Sequence, residues 1–252
     1  MSAIKKAFKA LTQEQQQLVT EKRLSGARSP DEWLGLLGPV LAFDRQAEIE
    51  HSGWFARRFA RHHRLAPGVR AFVAPLLAVL REDHDPACPL ELTLDCTGAA
   101  HKDKATRTSD PYDKGAYRKI VDTFYDDPWL QGRAQFADGA DVRFAVIDHL
   151  RSSRKTKRSA SGKTKVKTKG KKKTEVDVTV AFPARNYRAV SASGAPAPDV
   201  KASVKSGEKR TVVRMRRVLA AGSADAVPDP DVLLELLGAA YARVDPSRRK
   251  KL

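Results

Sequence analysis

The stretch VRFAVIDHLRSSRKTKRSASGKTKVKTKGKKKTEVDVTVAF, residues 142–182, contains the pattern that decides the fold. At both ends of this stretch apolar residues alternate with polar ones, which is the period of a half-buried β-strand. Residues 159–162, SASG, lie near its middle and are of types that favour a turn. Basic runs of low complexity are commonly disordered, so one interpretation is a solvated lysine run between two strands. The flanking alternation and the central turn residues favour a second interpretation, one long β-hairpin with an apolar base and a basic tip.

The register of this hairpin follows from its apolar residues. Side chains alternate between the two faces of a strand, and paired residues must lie on the same face. A register that places both valine rows on one face leaves residues 159–163 as the loop, which is an acceptable hairpin length. This register sets these pairs: Val142 with Val180, Phe144 with Val178, Val146 with Val176, Arg151 with Lys171, Lys155 with Lys167, and Lys157 with Lys165. A register shifted by two residues would change the partners but leave every side chain on the same face.

The positive charge of the chain is concentrated in one segment. The formal net charge is +17, and residues 151–217 contain 21 basic and 4 acidic residues, which accounts for the whole excess. Charge gathered in this way repels itself unless a partner neutralises it. We therefore expect a polyanionic partner, and nucleic acid is the one that the pattern favours.

Lysine dominates the basic arm, residues 151–173. Lysine is a point charge on a flexible stem, so the arm is expected to grip the phosphate backbone of DNA or RNA without reading sequence. Like charges face each other across the hairpin, so its tip should fray until phosphates neutralise them. The predicted nucleic-acid-binding residues, in the arm and in the strand predicted at 210–218, are Arg151, Arg154, Lys155, Lys157, Arg158, Lys163, Lys165, Lys167, Lys169, Lys171, Lys172, Lys173, Arg210, Arg214 and Arg216.

Helices are predicted in the first third of the chain. Thr12 and Gln15 have the spacing of a capping box at a helix N-terminus. Ser29 and Glu32 repeat that spacing, and the proline between them suits the first helical position. Two amphipathic helices are therefore expected to follow these caps.

Two further helices are expected before residue 86. One should begin at Asp44, and the next should kink or break at Pro75. Arg57, Arg61 and Arg64 recur at helical spacing on the first of them. Such a stripe is more often a solvated face than a second contact surface.

Strand-like alternation recurs outside the hairpin and completes an α+β fold. The pattern predicts an N-terminal helical subdomain (1–85) packed on an antiparallel β subdomain (86–220) that carries the arm, followed by a C-terminal helix and basic tail (221–252). The remaining predicted elements are a strand at 89–96, a loop at 97–116, a strand at 130–136, a turn at Asp138-Gly139, a linker at 191–198, a strand at 210–218, and a helix from Asp229 and Pro230.

The sequence offers one cluster of metal-like residues, namely His84, Cys88, Cys96 and His101. Zinc accepts two cysteines and two histidines, but zinc fingers bring their ligands in closely spaced pairs, and that pairing is missing here. Cys96 ends a predicted strand and is better explained as a buried small residue. We therefore expect no metal and no cofactor.

An enzymatic alternative is a metal-dependent nuclease. Such an enzyme needs two or three carboxylates around its cation and a lysine near the attacked phosphate. Residues 95–114 supply those types, but in an order that matches no motif, so binding without catalysis is favoured. The residues concerned are Asp95, Asp103, Asp110 and Asp113, with Lys102 or Lys114.

An aromatic cluster follows that loop. It could be a stacking platform for unpaired bases, although core packing is the commoner role of such a group. Its members are Tyr112, Tyr117, Phe124, Tyr125 and Trp129.

Composition bounds the compartment and the other partners. With two cysteines and no apolar run long enough to span a bilayer, we expect a soluble cytoplasmic protein that does not enter a membrane. A third functional hypothesis is an interaction or scaffold protein whose arm docks on an acidic partner or in a larger assembly. The sequence does not distinguish DNA from RNA.

Overall fold

The helices of this protein cover one face of a large antiparallel sheet, which confirms the α+β class. The computed structural model describes residues 3–49, 53–115, 117–158, 163–190, 197–222 and 226–246. A π-helical turn at Val69–Val73 leads into the fifth helix, and a 3₁₀ turn at Lys102–Lys104 follows the second strand. The α-helices are α1 (Ala3–Ala10), α2 (Gln13–Glu21), α3 (Pro30–Glu48), α4 (Trp54–His63), α5 (Ala74–Asp83) and α6 (Asp231–Tyr241).

The strands form one large sheet and one small one. The large sheet has the order β1-β2-β5-β6-β7-β10-β9, and β3 and β4 pair with β5 beside this path. The small sheet pairs β8 with β11. The strands are β1 (Arg23–Arg28), β2 (Leu90–Asp95), β3 (Ala105–Thr108), β4 (Tyr112–Lys114), β5 (Tyr117–Gln135), β6 (Asp141–Arg158), β7 (Thr164–Pro183), β8 (Tyr187–Ala189), β9 (Val200–Ser206), β10 (Arg210–Gly222) and β11 (Val244–Pro246).

The apolar core lies between the helices and one face of the large sheet. Alternate residues of the central strands, such as Leu92, Val146 and Val178, are buried on that face. The indole of Trp33 in α3 packs there as well and donates a hydrogen bond of 3.0 Å to the carbonyl of Leu90. The opposite face, which we call the open face, carries mainly polar side chains.

The predicted faces of the long hairpin are confirmed, and of the two registers that the sequence allowed the structure has the one that pairs Val142 with Val180. The strands β6 and β7 pair without a bulge, from Asp141 opposite Ala181 to Arg158 opposite Thr164. All six residue pairs expected from the sequence are present. The predicted turn at 159–162 lies outside the described residues.

Both predicted capping boxes are confirmed. Thr12 accepts from the backbone of Gln15 while the Gln15 side chain accepts from the backbone of Thr12. Ser29 and Glu32 make the same reciprocal pair at the start of α3. These local signals were sufficient because a cap satisfies backbone N–H groups that have no partner inside the helix.

Two helix predictions need revision. Asp44 does not begin a helix, because α3 continues through it to Glu48. Its carboxylate instead accepts a hydrogen bond of 2.8 Å from the backbone N–H of Leu65. The break expected at Pro75 occurs just before it, where the π-helical turn gives way to α5 and places Pro75 in the first turn.

The sheet is larger than the sequence predicted. Strand β5 begins at Tyr117 rather than at residue 130 and runs beside β6 as far as Thr156, so the lower part of the arm has three strands. Strands β3 and β4 occupy part of the predicted loop at 97–116. Strands β1 and β9 were missed as well, and β1 lies within the segment predicted to be helical.

One close contact fixes the packing of β5 on β6. Gly132 lies opposite Phe144, and a Cβ atom at residue 132 would lie 2.2 Å from the Phe144 ring. We expect Gly132→Ala to lower the free energy of unfolding by roughly 1–3 kcal/mol, the usual cost of overpacking a core. Urea unfolding followed by circular dichroism measures this loss.

A double-mutant cycle tests the cause. Phe144→Leu removes the ring that the added methyl would meet, so the double variant Gly132→Ala, Phe144→Leu should be more stable than the two single losses predict. Strictly additive losses would show that Gly132 is required for another reason.

Candidate nucleic-acid interface

The arm leaves the core at a layer of buried ion pairs. Lys104 places its Nζ 2.9 Å from Asp95 Oδ1 and 2.6 Å from Asp127 Oδ1. Beside it, Lys172 Nζ lies 3.0 Å from Asp148 Oδ2. We call these residues the ion layer; it closes the apolar core on the side from which the arm projects.

The carboxylates of the ion layer respond differently to burial. Burial raises the pKa of Asp127 above its ordinary range. Burial acts in the same direction on Asp95, but hydrogen bonds from Thr97 and Lys104 outweigh it and hold the pKa of Asp95 at about 2. Lys104 therefore pairs with two carboxylates of different acidity, Asp95 with a lowered pKa and Asp127 with a raised pKa.

Lys172 has to be removed from the predicted set of phosphate contacts. Its side chain is 6% exposed and belongs to the ion layer, on the core side of β7. It also donates a hydrogen bond to the carbonyl of Ala226. The alternation of the strand explains this, because an even-numbered residue of β7 faces the same way as Val176.

The odd-numbered residues of the hairpin place a row of cations on the open face. The row, which we call the lysine row, consists of Arg151, Lys155, Lys157, Lys165, Lys167, Lys169, Lys171 and Lys173. Lys163, also predicted, is exposed and lies just before β7. The five β7 lysines of the row are exposed, and none has a carboxylate within 4 Å of its ammonium group among the described residues.

Arg151, at the foot of the lysine row, has an acidic partner. Its guanidinium pairs with the buried carboxylate of Asp122, which also accepts from the hydroxyls of Ser153 and Tyr112. Burial works to raise the pKa of Asp122, but these hydrogen bonds outweigh it and hold that pKa at about 2. Asp122 therefore ties β5 and β4 to β6 at the foot of the arm.

A cavity of about 710 Å³ opens beside Arg151 on the arm. The ring of Phe124 lies in its wall, with the guanidinium of Arg107 4.4 Å from the ring centroid. Lys171 and Lys173 also line it. Side chains of this kind can hold phosphate and stack an unpaired base on an aromatic ring or a guanidinium plane.

The acidic groups at this cavity do not cancel its charge. His149 Nδ1 lies 2.7 Å from Asp126 Oδ1, and its Nε2 lies 3.8 Å from Glu175. Arg107 has no carboxylate within 4 Å among the described residues, and neither has Lys171 or Lys173. The cavity therefore keeps an excess of positive charge.

The three arginines predicted in β10 lie away from the lysine row, on the open face above the core. Arg210 lies 3.5 Å from Asp141, and Arg214 lies 2.7 Å from Asp177. Arg216 is paired as well, with Glu175 at 3.2 Å. Each of the three has a carboxylate within 3.5 Å, so they are weaker candidates for phosphate contacts than the lysine row.

The other predicted residues are placed differently. Arg154 is exposed but lies on the face opposite to the lysine row. Arg158 ends β6, and its side chain is not among those described. Phe124 was identified from the sequence only as a member of a possible stacking platform, and Arg107 was not predicted as a site residue. The pairing of β3 with β5 is what brings the two together.

The residues considered for metal or nuclease chemistry do not converge. Among the described residues, no group of three or more histidine, cysteine, aspartate or glutamate side chains could hold a metal ion. Asp95 belongs to the ion layer, and Asp113 pairs with Arg118 at 2.7 Å. Burial raises the pKa of the Cys96 thiol to about 12, which disfavours the thiolate that zinc requires.

Two further findings concern membrane-spanning helices and similarity to known proteins. None of the helices in the described part of the chain has the length and apolar character needed to cross a bilayer. Protein-family models, curated proteins and solved structures give no match to this chain.

The pKa of Asp122 predicts how the arm responds to acid. A carboxyl with a folded pKa of about 2 and an ordinary unfolded pKa near 3.8 stabilises the folded state above pH 4 and loses that contribution as the pH falls towards 2. The contribution is about 2 kcal/mol, and about half of it should be lost by pH 3.

The variant Asp122→Asn serves as the comparison. The difference in free energy of unfolding between parent and variant, measured in urea, should be largest at neutral pH and should shrink below pH 4. A difference that stays constant from pH 7 to pH 3 would contradict the depressed pKa of Asp122.

Proposed function

We propose that this protein binds nucleic acid without sequence preference and grips the phosphate backbone along the lysine row. The observation that carries the proposal is the row itself: its β7 lysines share one face of a regular hairpin, and no described carboxylate neutralises them. Above the core, the arginines of the open face lie beside carboxylates. Lys201 and Lys205 of β9 lie on the same face with no ion pair among the described residues. The lysine row is the larger and denser group of lysines that the described carboxylates leave unpaired.

The hairpin register makes this charge dense. Lys155 faces Lys167 and Lys157 faces Lys165, so like charges repel across the arm. Residues on one face of a strand repeat every ~6.7 Å, so at these two pairs the hairpin supplies about one charge per 3.4 Å. Nearer the core Ser153 interrupts the β6 side of the row, and Lys169 faces it. The spacing near the tip is close to the roughly 3.4 Å of axis per phosphate along one nucleic acid strand, so a bound strand would relieve the repulsion.

The length and composition of the arm suit this role. Beyond Leu150, β6 continues to Arg158, which corresponds to roughly 25 Å at the usual rise of a strand. Because the row is almost entirely lysine, it supplies point charges rather than the planar donors that read base edges. Binding should therefore be strong at low salt and nearly independent of sequence.

Removing three charges from the row tests the proposal. We expect Lys165→Gln, Lys167→Gln, Lys169→Gln to make the slope of log K against log salt on duplex DNA shallower by about 2.7, if each lysine neutralises one phosphate. The loss should be similar for unrelated DNA sequences. Fluorescence anisotropy at four or more salt concentrations gives the slope.

A matched variant controls for net charge. Lys201→Gln, Lys205→Gln, Lys209→Gln removes the same number of exposed lysines from β9 and the turn that follows it. This variant should keep a slope within one unit of the parent. Equal slopes for the arm variant and the parent would mean that the arm does not contact phosphates. The arm would then be assigned to another partner, such as an acidic protein surface, and that partner would remain bound to the protein after nuclease treatment.

A further inference from the structure

A second cationic surface lies on the helical side of the molecule. Helix α4 leaves Trp54 60% exposed and Phe55 77% exposed, whereas the other two tryptophans, Trp33 and Trp129, are buried at 0% and 8%. Large aromatic rings that remain open to solvent commonly mark a contact surface. Arg58 lies over the Trp54 ring, 5.6 Å from its centroid.

Phe55 borders a cleft of about 680 Å³ between α1, α4 and the end of α2, which we call the α4 cleft. Trp54 lies just outside the lining and packs edge-on against Phe55, with 4.7 Å between the ring centroids. Lys5, Lys22, Arg58 and Arg61 line the cleft, together with two phenylalanines and two histidines. None of the four cations has a carboxylate within 4 Å among the described residues. Burial lowers the pKa of His63, one of these histidines, so His63 is not counted as a charge at neutral pH.

The floor of the cleft is formed by packed aromatic rings. Phe59 stacks on His63 with 4.0 Å between ring centroids, and His63 Nδ1 lies 2.8 Å from the carbonyl of Phe59. Phe8 of α1 packs edge-on against Phe59 at 5.7 Å. Lys5 reaches over the Phe59 ring at 5.7 Å.

The structure also revises the arginine stripe noted in the sequence. Arg64 is neutralised, because its guanidinium lies 3.0 Å from Glu48. Arg61 points its charge into the cleft with Arg58, which the helical spacing alone did not include. The cations that matter are therefore contributed by three helical segments rather than by one stripe.

The α4 cleft lies at the same end of the molecule as the arm. The carbonyl of Lys22 accepts the backbone N–H of Cys96 at 2.6 Å, and the next residue, Arg23, is the register partner of Asp95. Asp95 belongs to the ion layer, from which the arm projects. A polyanion held by the arm is therefore close to the cleft.

We infer that the α4 cleft is a second binding site, and that its ligand is a single-stranded segment of nucleic acid. That the ligand is a nucleic acid rests on the proposed function. The geometry of the cleft adds that this nucleic acid is single-stranded rather than duplex. Trp54 and Phe55 offer ring faces on which unpaired bases stack, while the four cations hold the adjoining phosphates. A duplex hides the faces of its bases and would gain only the charge contacts.

The exposed position of Trp54 allows a direct test. Titrating the full chain with single-stranded oligo(dT) should quench tryptophan fluorescence, because Trp33 and Trp129 are buried and stacking would reach Trp54 alone. A duplex of equal length should quench little. Trp54→Ala should weaken oligo(dT) binding by roughly 5- to 150-fold, whereas Trp54→Phe should abolish the quenching and keep most of the affinity.

The arm variant separates this inference from the proposed function. In Lys165→Gln, Lys167→Gln, Lys169→Gln, quenching of Trp54 should persist at higher oligonucleotide concentration, since the cleft is intact. If that variant bound with parental affinity and normal quenching, the arm proposal would fail and the cleft would stand. If duplex and single strand quenched equally, or neither did, the inference about the cleft would fail.

A membrane surface is the outcome that would replace the inference. Vesicles containing phosphatidylserine could also attract cations and aromatic rings. A blue shift of Trp54 emission with such vesicles, without quenching by oligo(dT), would overturn the assignment to nucleic acid. The expected result is quenching by oligo(dT), lost in Trp54→Phe and weakened in Arg58→Gln, Arg61→Gln.

Discussion

The ion layer at the foot of the arm is the constraint on which the rest of the structure depends. Apolar residues fill the core side of β6 as far as Val146, and Asp148 then meets Lys172 while Asp127 meets Lys104. Removing one partner of a buried pair leaves a charge without compensation, at a cost of about 3–5 kcal/mol. The layer thus ends the core without ending the sheet, and strands β5, β6 and β7 continue beyond it.

The alternation of β-strands then separates the charges by role. Lys172, an even-numbered residue, faces the core and completes the ion layer. Its odd-numbered neighbours Lys171 and Lys173 lie on the open face. Three lysines in succession therefore have two different functions in the structure. A regular register without a bulge is what keeps this separation intact along the arm.

The faces of the hairpin could be predicted because one face is buried, and a shift by a single residue would expose Val142 and Val180. The exact partners could not, because a shift by two residues leaves every side chain on its face. Strand β5 could not, because Pro128 and a bulge between Asp127 and Leu130 interrupt its alternation. The cavity at Phe124 depends on that strand and was missed with it. The α4 cleft escaped prediction because its cations come from separate helices and meet only after folding.

The relative position of the two cationic surfaces bears on what can occupy both. The lysine row lies on the open face of the sheet, whereas the α4 cleft lies on the helical side. A nucleic acid in contact with both surfaces would therefore have to bend around the end of the molecule. Duplex DNA resists such a turn, since its persistence length is about 50 nm. A single strand of nucleic acid bends freely and would expose its bases to Trp54 and Phe55. If both surfaces bind nucleic acid as proposed, a ligand that occupies them together must be single-stranded, and a duplex would be restricted to the arm.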